Sequence, residues 1–130
     1  KVRGAHTYEG ILALKLGDLE KAEKQFSAEL ANDPNYQSAI AEMGEVRYHQ
    51  GRWQEAASYL DKSKTMTPEL IYLLCDSYFH LSRPSDADLE AETAAVYGRN
   101  DSHFMQGLVD LLRRNQQTEL ADKLSTDMTH

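Results

Sequence analysis

Apolar and small residues recur along this chain at spacings of three and four residues. One such stripe runs through Leu19, Ala22, Phe26 and Leu30. Side chains at this spacing share one face of an α-helix. Short polar segments containing glycine or proline separate this stripe from similar ones along the chain. The pattern predicts an all-α protein whose helices are joined by tight turns.

The helical pattern itself repeats with a fixed period. Small or turn-forming residues recur about 34 residues apart, and this interval is found in helical repeat proteins. The pairs are Gly10 and Gly44, Gly17 and Gly51, Ala22 and Ala56, and Pro34 and Pro68. Such a period is typical of stacked helical hairpins, each of which buries its apolar face against its neighbours. We therefore expect a scaffold that presents a surface rather than catalytic chemistry.

The period predicts one array of four hairpins over residues 1–130, with approximate bounds 4–34, 36–68, 69–98 and 101–128. The third hairpin returns three positions early, and we place this shortening in the loop around residues 68–70. The last hairpin is degenerate, and its closing helix has the polar outer face that a terminal cap needs. A comparable cap is lacking before Lys1, which favours an origin in a longer array.

Residues in the first three hairpins resemble the tetratricopeptide repeat family, whose repeating unit is a helix-turn-helix of the same length. The resemblance covers residues 4–98 well and the remainder loosely. The matching residues are Gly10, Ala22, Phe26 and Pro34 in the first hairpin, Met43, Gly44, Ala56, Leu60 and Pro68 in the second, and Leu74, Tyr78 and Ala87 in the third.

The chain departs from the family pattern at three small-residue positions. Cys75 replaces a glycine in the third hairpin, and Leu108 and Leu120 occupy small-residue slots of the fourth. The resemblance implies a right-handed α-solenoid of about three such hairpins plus a degenerate C-terminal capping hairpin. It is specific for the fold and weak for function, because the pattern residues pack the hairpins together.

The resemblance also implies a concave groove, lined by the first helix of each hairpin, that holds an extended or helical peptide. The expected peptide-binding residues are Leu14, Lys15, Glu45, Tyr48, His49, Tyr72, Asp76, Phe79, His80 and Leu112. The remaining groove slots hold Thr7, Ile11, Ala41, Met105, Val109 and Arg113. Leu14, Tyr48, Phe79 and Leu112 are expected to form an apolar ladder along the groove.

Charge narrows the range of partners. The chain has 14 basic and 21 acidic residues and a net charge of −7, which disfavours non-specific binding to nucleic acid or anionic membrane. Glu45 and Asp76 are expected to read positive charge, so the partner is a protein or peptide with apolar anchors that is neutral or basic. A clamp for acidic C-terminal tails is not expected, because Lys15 is the only residue in the corresponding groove positions with the positive charge that such a clamp needs. The compartment stays open and the cytoplasm is favoured, and any targeting segment is expected to lie outside this sequence.

Three alternatives stay open beside peptide binding. The first hairpin could join copies of the chain into a homo-oligomer, or Tyr48 and Phe79 could be core residues covered by a neighbouring chain or an absent repeat. A remote alternative is a metal-binding groove, because Glu45 and His49, like Asp76 and His80, are four residues apart and share a helix face.

A carboxylate and a histidine four residues apart on a helix more often form an ordinary ion pair than a metal site. We therefore expect no metal and no cofactor. The sequence also has no nucleophile turn or phosphate-binding glycine loop, and Cys75 is expected to be a buried, inert thiol. We therefore expect no enzymatic activity.

Overall fold

The computed structural model describes residues 5–64 and 66–128. These residues form eight helices and no strand, which confirms the all-α prediction. The helices are α1 (Ala5–Lys15), α2 (Leu19–Asn32), α3 (Gln37–His49), α4 (Trp53–Lys62), α5 (Pro68–His80), α6 (Pro84–Gly98), α7 (Ser102–Arg114) and α8 (Thr118–Met128).

The helices group into two compact units. Unit 1 comprises Lys1–Met66 and holds α1 to α4, and unit 2 comprises Thr67–His130 and holds α5 to α8. Consecutive helices pack in pairs, so each unit consists of two hairpins. The continuity of one array over all 130 residues stays a prediction.

Glycine allows close helix contact inside each unit. A Cβ atom added at Gly44 would lie 2.7 Å from Leu60 Cγ, and one added at Gly10 would lie 2.6 Å from Phe26 Cε1. In unit 2, a Cβ atom at Gly98 would lie 2.5 Å from Phe104 Cδ2. Each distance is too short for a real Cβ contact. The large apolar side chain therefore occupies the space that the glycine leaves empty.

All four hairpins turn through a residue in the left-handed region. These residues are Gly17 (φ 81°), Gly51 (φ 75°), Ser82 (φ 59°) and Gln116 (φ 60°), and the shortened interval is the one between Gly51 and Ser82. The N–H of the next residue donates to a carbonyl of the preceding helix, as from Asp18 to Ala13 (2.9 Å) in the first hairpin. This hydrogen bond and the left-handed residue together form a C-terminal helix cap, in which glycine is the usual residue. Two of the four turns form this cap without glycine.

We expect Ser82→Gly and Gln116→Gly each to stabilise the protein. A side chain in the left-handed region is strained, and its removal should raise the free energy of unfolding by about 0.5–1 kcal/mol. Urea denaturation followed by circular dichroism measures the change. The matched reverse variant is Gly17→Ala, which should lower the stability. A loss of stability in both glycine variants would contradict this description of the turns.

The shortening of the third period does not lie where it was predicted. Residues 68–70 form the first turn of α5, and Thr67 Oγ1 caps that turn by accepting a hydrogen bond from the Leu70 N–H (3.2 Å). Proline fits the first helical turn because its missing N–H would have no helical partner there. The shortening instead falls at the end of α4, which has 10 residues against 14 in α2.

The small-residue slot of the fourth hairpin is also one residue away from its predicted position. Ala121 follows Gln116 by five residues, as Ala56 follows Gly51, and it is fully buried. The assignment of Leu120 to this slot is therefore wrong. Without a glycine at position 116, the sequence offered no mark for the register of the last turn.

Candidate functional site

In unit 2, three of the predicted site residues meet in one depression. Its volume is about 360 Å³, and it is lined by Asp76, Phe79 and His80 of α5, by Leu111 and Arg114 of α7, and by Asn115 at the C-cap of α7. Both helices are the first helices of their hairpins. The depression therefore lies on the side of the hairpins for which a binding surface was predicted.

Charges of both signs surround the apolar part of this depression. His80 Nε2 lies 3.5 Å from Asp76 Oδ1, one helical turn away. The Asn115 amide donates to the Leu111 carbonyl (2.9 Å), which leaves its side chain fixed against α7. The Arg114 side chain is exposed. Such a surface can hold an apolar side chain on the partly exposed Phe79 ring and a polar group beside it, whereas Leu111 is almost wholly buried beneath it.

Tyr72 does not line the depression. Its ring packs edge-to-face on Phe104 of α7, with the centroids 6.3 Å apart. Phe104 is also the ring that fills the space beside Gly98. Tyr72 therefore contributes a partly exposed edge of the α5–α7 packing.

Several residues carried over to groove slots are buried. Leu112, in the predicted ladder, is 0% exposed, so a ligand could reach it only if the helix packing opened. Thr7, Ala41, Met105 and Val109 are also buried. These positions pack their helices, and their prediction as surface residues is wrong.

In unit 1, the predicted residues of α3 form a small aromatic and charged cluster. The Tyr48 ring lies edge-on to Trp53 (5.5 Å between centroids) and to His49 (5.3 Å). His49 Nε2 lies 3.6 Å from Glu45 Oε2. Tyr48 is partly buried, so the Trp53 contact holds its ring while one edge stays in solvent.

The two predicted residues of α1 differ in exposure. Leu14 is partly buried and packs against the core cluster of unit 1, whereas Lys15 is exposed in the last turn of the helix. Lys15 is therefore available to a ligand, and Leu14 contributes mainly to packing.

Glu42 is a site residue that sequence reasoning missed. The pKa of its carboxyl is raised to about 7, mainly by burial and also by the nearby Glu45 carboxylate, while the Lys15 ammonium lowers it. The carboxyl thus lies beside two predicted site residues and changes charge near neutral pH. No local motif signals this, because the shift depends on burial in the folded unit.

A partly exposed ion-pair network around the buried Arg47 of unit 1 was also missed. Arg47 Nη1 lies 2.6 Å from Glu23 Oε1, and Arg47 Nε lies 3.2 Å from Glu55 Oε2. The Gln50 amide donates to Glu23 (2.9 Å), and this bond, with that from Arg47, lowers the pKa of Glu23. The network links α2, α3 and α4 and fixes the helix that carries Glu45, Tyr48 and His49.

The metal alternative rested on two His–carboxylate pairs. Each pair makes its own contact within one turn of one helix, in α3 and in α5. Over residues 5–64 and 66–128, no three His, Cys, Asp or Glu side chains come together in a way that could hold a metal ion.

Cys75 is fully buried, and its thiol donates to the Ala87 carbonyl (3.2 Å). Burial and the negative charges of Asp76, Asp88 and Glu90 raise its pKa. A thiol that stays protonated is a poor nucleophile, so this cysteine packs α5 against α6.

Unit 2 has a second depression, of about 350 Å³, which sequence reasoning did not anticipate. It is lined by Glu92, Ala95, Val96, Arg99, Met105, Lys123, Leu124, Asp127 and Met128. These residues come mainly from α6 and α8, the second helices of their hairpins. It is a competing location for a ligand.

Comparison with known proteins identifies the repeat. The family model described as tetratricopeptide repeat matches residues 9–70. No curated protein matches the chain. No helix of the described residues is long and apolar enough to cross a membrane.

A solved structure with a similar fold is the crystal structure of YrrB, described as a TPR protein with an unusual peptide-binding site. The two chains are 19% identical, the TM-score is 0.76, and the match covers 92% of this chain and 63% of YrrB. This chain thus spans less than two thirds of YrrB, and the likeness at this identity concerns the fold alone. With the eight helices, it confirms the prediction of a helical-repeat solenoid.

Proposed function

Because this chain belongs to the tetratricopeptide repeat family through residues 9–70, we propose that it is a non-enzymatic scaffold that binds a peptide or protein segment. The proposed surface lies on the first helices of its hairpins. The observation that carries the proposal is the depression between α5 and α7, which brings together Asp76, Phe79 and His80. An open depression in which one aromatic ring lies among several polar groups can serve as a ligand site.

Phe79 is the proposed anchor point in unit 2, and Tyr48 is its counterpart in unit 1. Both rings are partly buried, so each is held by the protein while part of it stays available. Aromatic residues held in this way contribute most of the binding energy at many interfaces. Leu112 takes no part, since it is buried.

The proposed partner is neutral or basic and carries apolar side chains. Glu45 of α3 offers negative charge in unit 1, and Asp76 offers it in unit 2. Arg114 and His80 in the same depression give that end a mixed character, which suits a neutral segment. The net charge of −7 argues against nucleic acid and anionic membranes as partners.

Loss of the Phe79 ring tests this proposal. A peptide selected from a random phage-displayed library against the whole chain should bind Phe79→Ala at least about 10-fold more weakly, because truncating an anchor removes roughly 1.4 kcal/mol or more. Isothermal titration calorimetry measures the affinity, and circular dichroism checks that the variant keeps its helices.

Leu89→Ala is the matched control. Leu89 is 63% exposed on α6 and lies outside the α5–α7 depression, so its loss should leave the affinity unchanged. Equal affinities for wild type and Phe79→Ala would contradict the proposal. So would a loss of binding in Leu89→Ala, since that would move the site to the second helices.

A further inference from the structure

Three large apolar side chains, two on α1 and one on the residue that follows it, are exposed at four-residue spacing. Tyr8, Leu12 and Leu16 are 72%, 51% and 78% exposed and are spaced four residues apart. Side chains at this spacing form a continuous ridge that can pack into the groove of another helix. The ridge borders a depression of about 550 Å³ whose other lining residues are Glu9, Ala13, Asp18 and Lys21. Contiguous exposed apolar surface of this kind marks a contact site.

The repeat shows what this face of a first helix contacts. One full period after the ridge, the equivalent positions are Glu42 and Val46 on α3 and Gln50 at its C-cap. Val46 is fully buried in the core cluster of unit 1, and Gln50 donates to Glu23 of α2 (2.9 Å). In the second hairpin, therefore, the same face packs against a helix. Among the described residues, no helix covers this face on α1.

We propose that the ridge of α1 docks against the ridge of a second copy of this chain in a twofold-symmetric dimer. In such a contact each copy uses the same surface, so Leu12 meets Leu12 at the axis and Tyr8 meets Leu16. The proposal does not depend on peptide binding at α5 and α7.

The charges beside the ridge are self-complementary. All of these residues line the depression: Glu9 follows Tyr8 in α1, and Lys21 lies in the first turn of α2, next to the turn that holds Leu16 and Asp18. A twofold axis through Leu12 brings Glu9 of each copy toward Lys21 of the other, so opposite charges meet twice. Asp18 is already engaged, because its carboxylate accepts from the Lys21 N–H (3.1 Å) as the cap of α2. Neither Glu9 nor Lys21 has an ion-pair partner within residues 5–64 and 66–128.

A head-to-tail chain of copies is disfavoured by the surface of α8. Its exposed residues Glu119, Asp122 and Lys123 are charged. Asp122 and Lys123 pair with Arg113 (2.9 Å) and Glu92 (3.7 Å). A head-to-tail contact would set the apolar ridge against these charges or against the mixed depression of α6 and α8, whereas a twofold contact sets it against a second apolar ridge, which favours a closed dimer.

The dimer is expected to be weak. One helical ridge from each copy buries less than the roughly 1,200–2,000 Å² of a standard interface. We expect a Kd on the order of 10–100 µM.

Sedimentation velocity of the whole chain over about 5–500 µM tests the proposal. The wild-type mass should rise with concentration from the monomer value of 14.7 kDa toward twice that value. Leu12→Glu should stay monomeric, because it places two carboxylates together at the axis. Leu89→Glu is the matched control, since it makes the same change at an exposed leucine of α6 and should still dimerise. Circular dichroism checks that both variants keep the wild-type helicity.

Charge reversal tests the geometry separately. Glu9→Lys and Lys21→Glu should each weaken the dimer at least about 5-fold, and the two together should restore it. A wild-type mass that stays at 14.7 kDa throughout would overturn the proposal and leave the ridge to a different occupant, such as a further hairpin. Dimerisation of Leu12→Glu, or its loss in Leu89→Glu, would also overturn it.

Discussion

Replacing Gly44 by leucine is expected to lower the free energy of unfolding by about 1–3 kcal/mol, the range found when extra atoms are forced into a filled interior. The first added carbon alone would lie 2.7 Å from Leu60 Cγ and 3.3 Å from the Leu60 backbone nitrogen. The Leu60 side chain can rotate only within a packed core, and its backbone belongs to α4. The substitution should therefore push α3 and α4 apart.

Urea unfolding followed by circular dichroism measures this change and that of the control, and Trp53 fluorescence reports on unit 1 by itself, because the single tryptophan lies there. Gly107→Ala is the control. A Cβ atom at Gly107 meets nothing within 4 Å, so alanine should stabilise α7 by about 0.5–1 kcal/mol through its higher helix propensity. Unchanged stability of Gly44→Leu would show that α3 and α4 do not cross at this glycine, and the register of the repeat would be wrong.

Glu42→Gln is expected to stabilise the protein at alkaline pH and to have no effect at acid pH. The pKa of Glu42 rises from the ordinary 4.5 to about 7 in the folded protein, first because of burial and then because of Glu45. Between these two values the folded state holds a proton that the unfolded state has lost, so stability falls as the pH rises through this window. Below this pH window the Glu42 carboxyl is neutral in both the folded and the unfolded protein. Above the window it is ionised in both, and the cost of holding a charge in a half-buried position lowers the free energy of unfolding.

The expected gain of Glu42→Gln above the window is about 1–2 kcal/mol, once the solvent exposure of the carboxyl is allowed for. Urea unfolding at about pH 8 and about pH 4 measures the difference between variant and wild type. Glu45→Gln, which leaves Glu42 ionisable but removes its negative neighbour, should give a smaller gain. An equal gain at both pH values would show that Glu42 acts through packing and not through its charge.

The sequence predicted the parts of this fold that depend on local pattern. Gly44 and Gly51 carry the period, and the buried stripes follow from spacing alone. The turns at Ser82 and Gln116 show the limit of this reasoning. Both residues adopt the left-handed conformation without the glycine that marks it elsewhere. Because Gln116 gave no sign of the last turn, the small-residue slot of the fourth hairpin was predicted at Leu120, one position before Ala121.

The candidate site was less predictable, because it depends on tertiary neighbours. Leu111 and Leu112 are adjacent apolar residues that periodicity could not tell apart. Both are almost wholly buried, but only Leu111 lines the depression. Arg47 lies on the buried side of α3, where the hydrophobic pattern predicts an apolar residue and not a charged one. Its partners Glu23 and Glu55 come from two other helices. The shifted pKa of Glu42 likewise depends on packing that no motif encodes.

The central claim is that the first helices, and not the second, present the binding surface. A titration of the isotope-labelled whole chain with a library-selected peptide, followed by ¹H–¹⁵N correlation spectra, tests this most directly. We expect the largest shift changes at the backbone amides of Asp76, Phe79 and Arg114, on α5 and α7. Changes concentrated instead at Val96, Leu124 and Met128, around the depression of α6 and α8, would contradict the account.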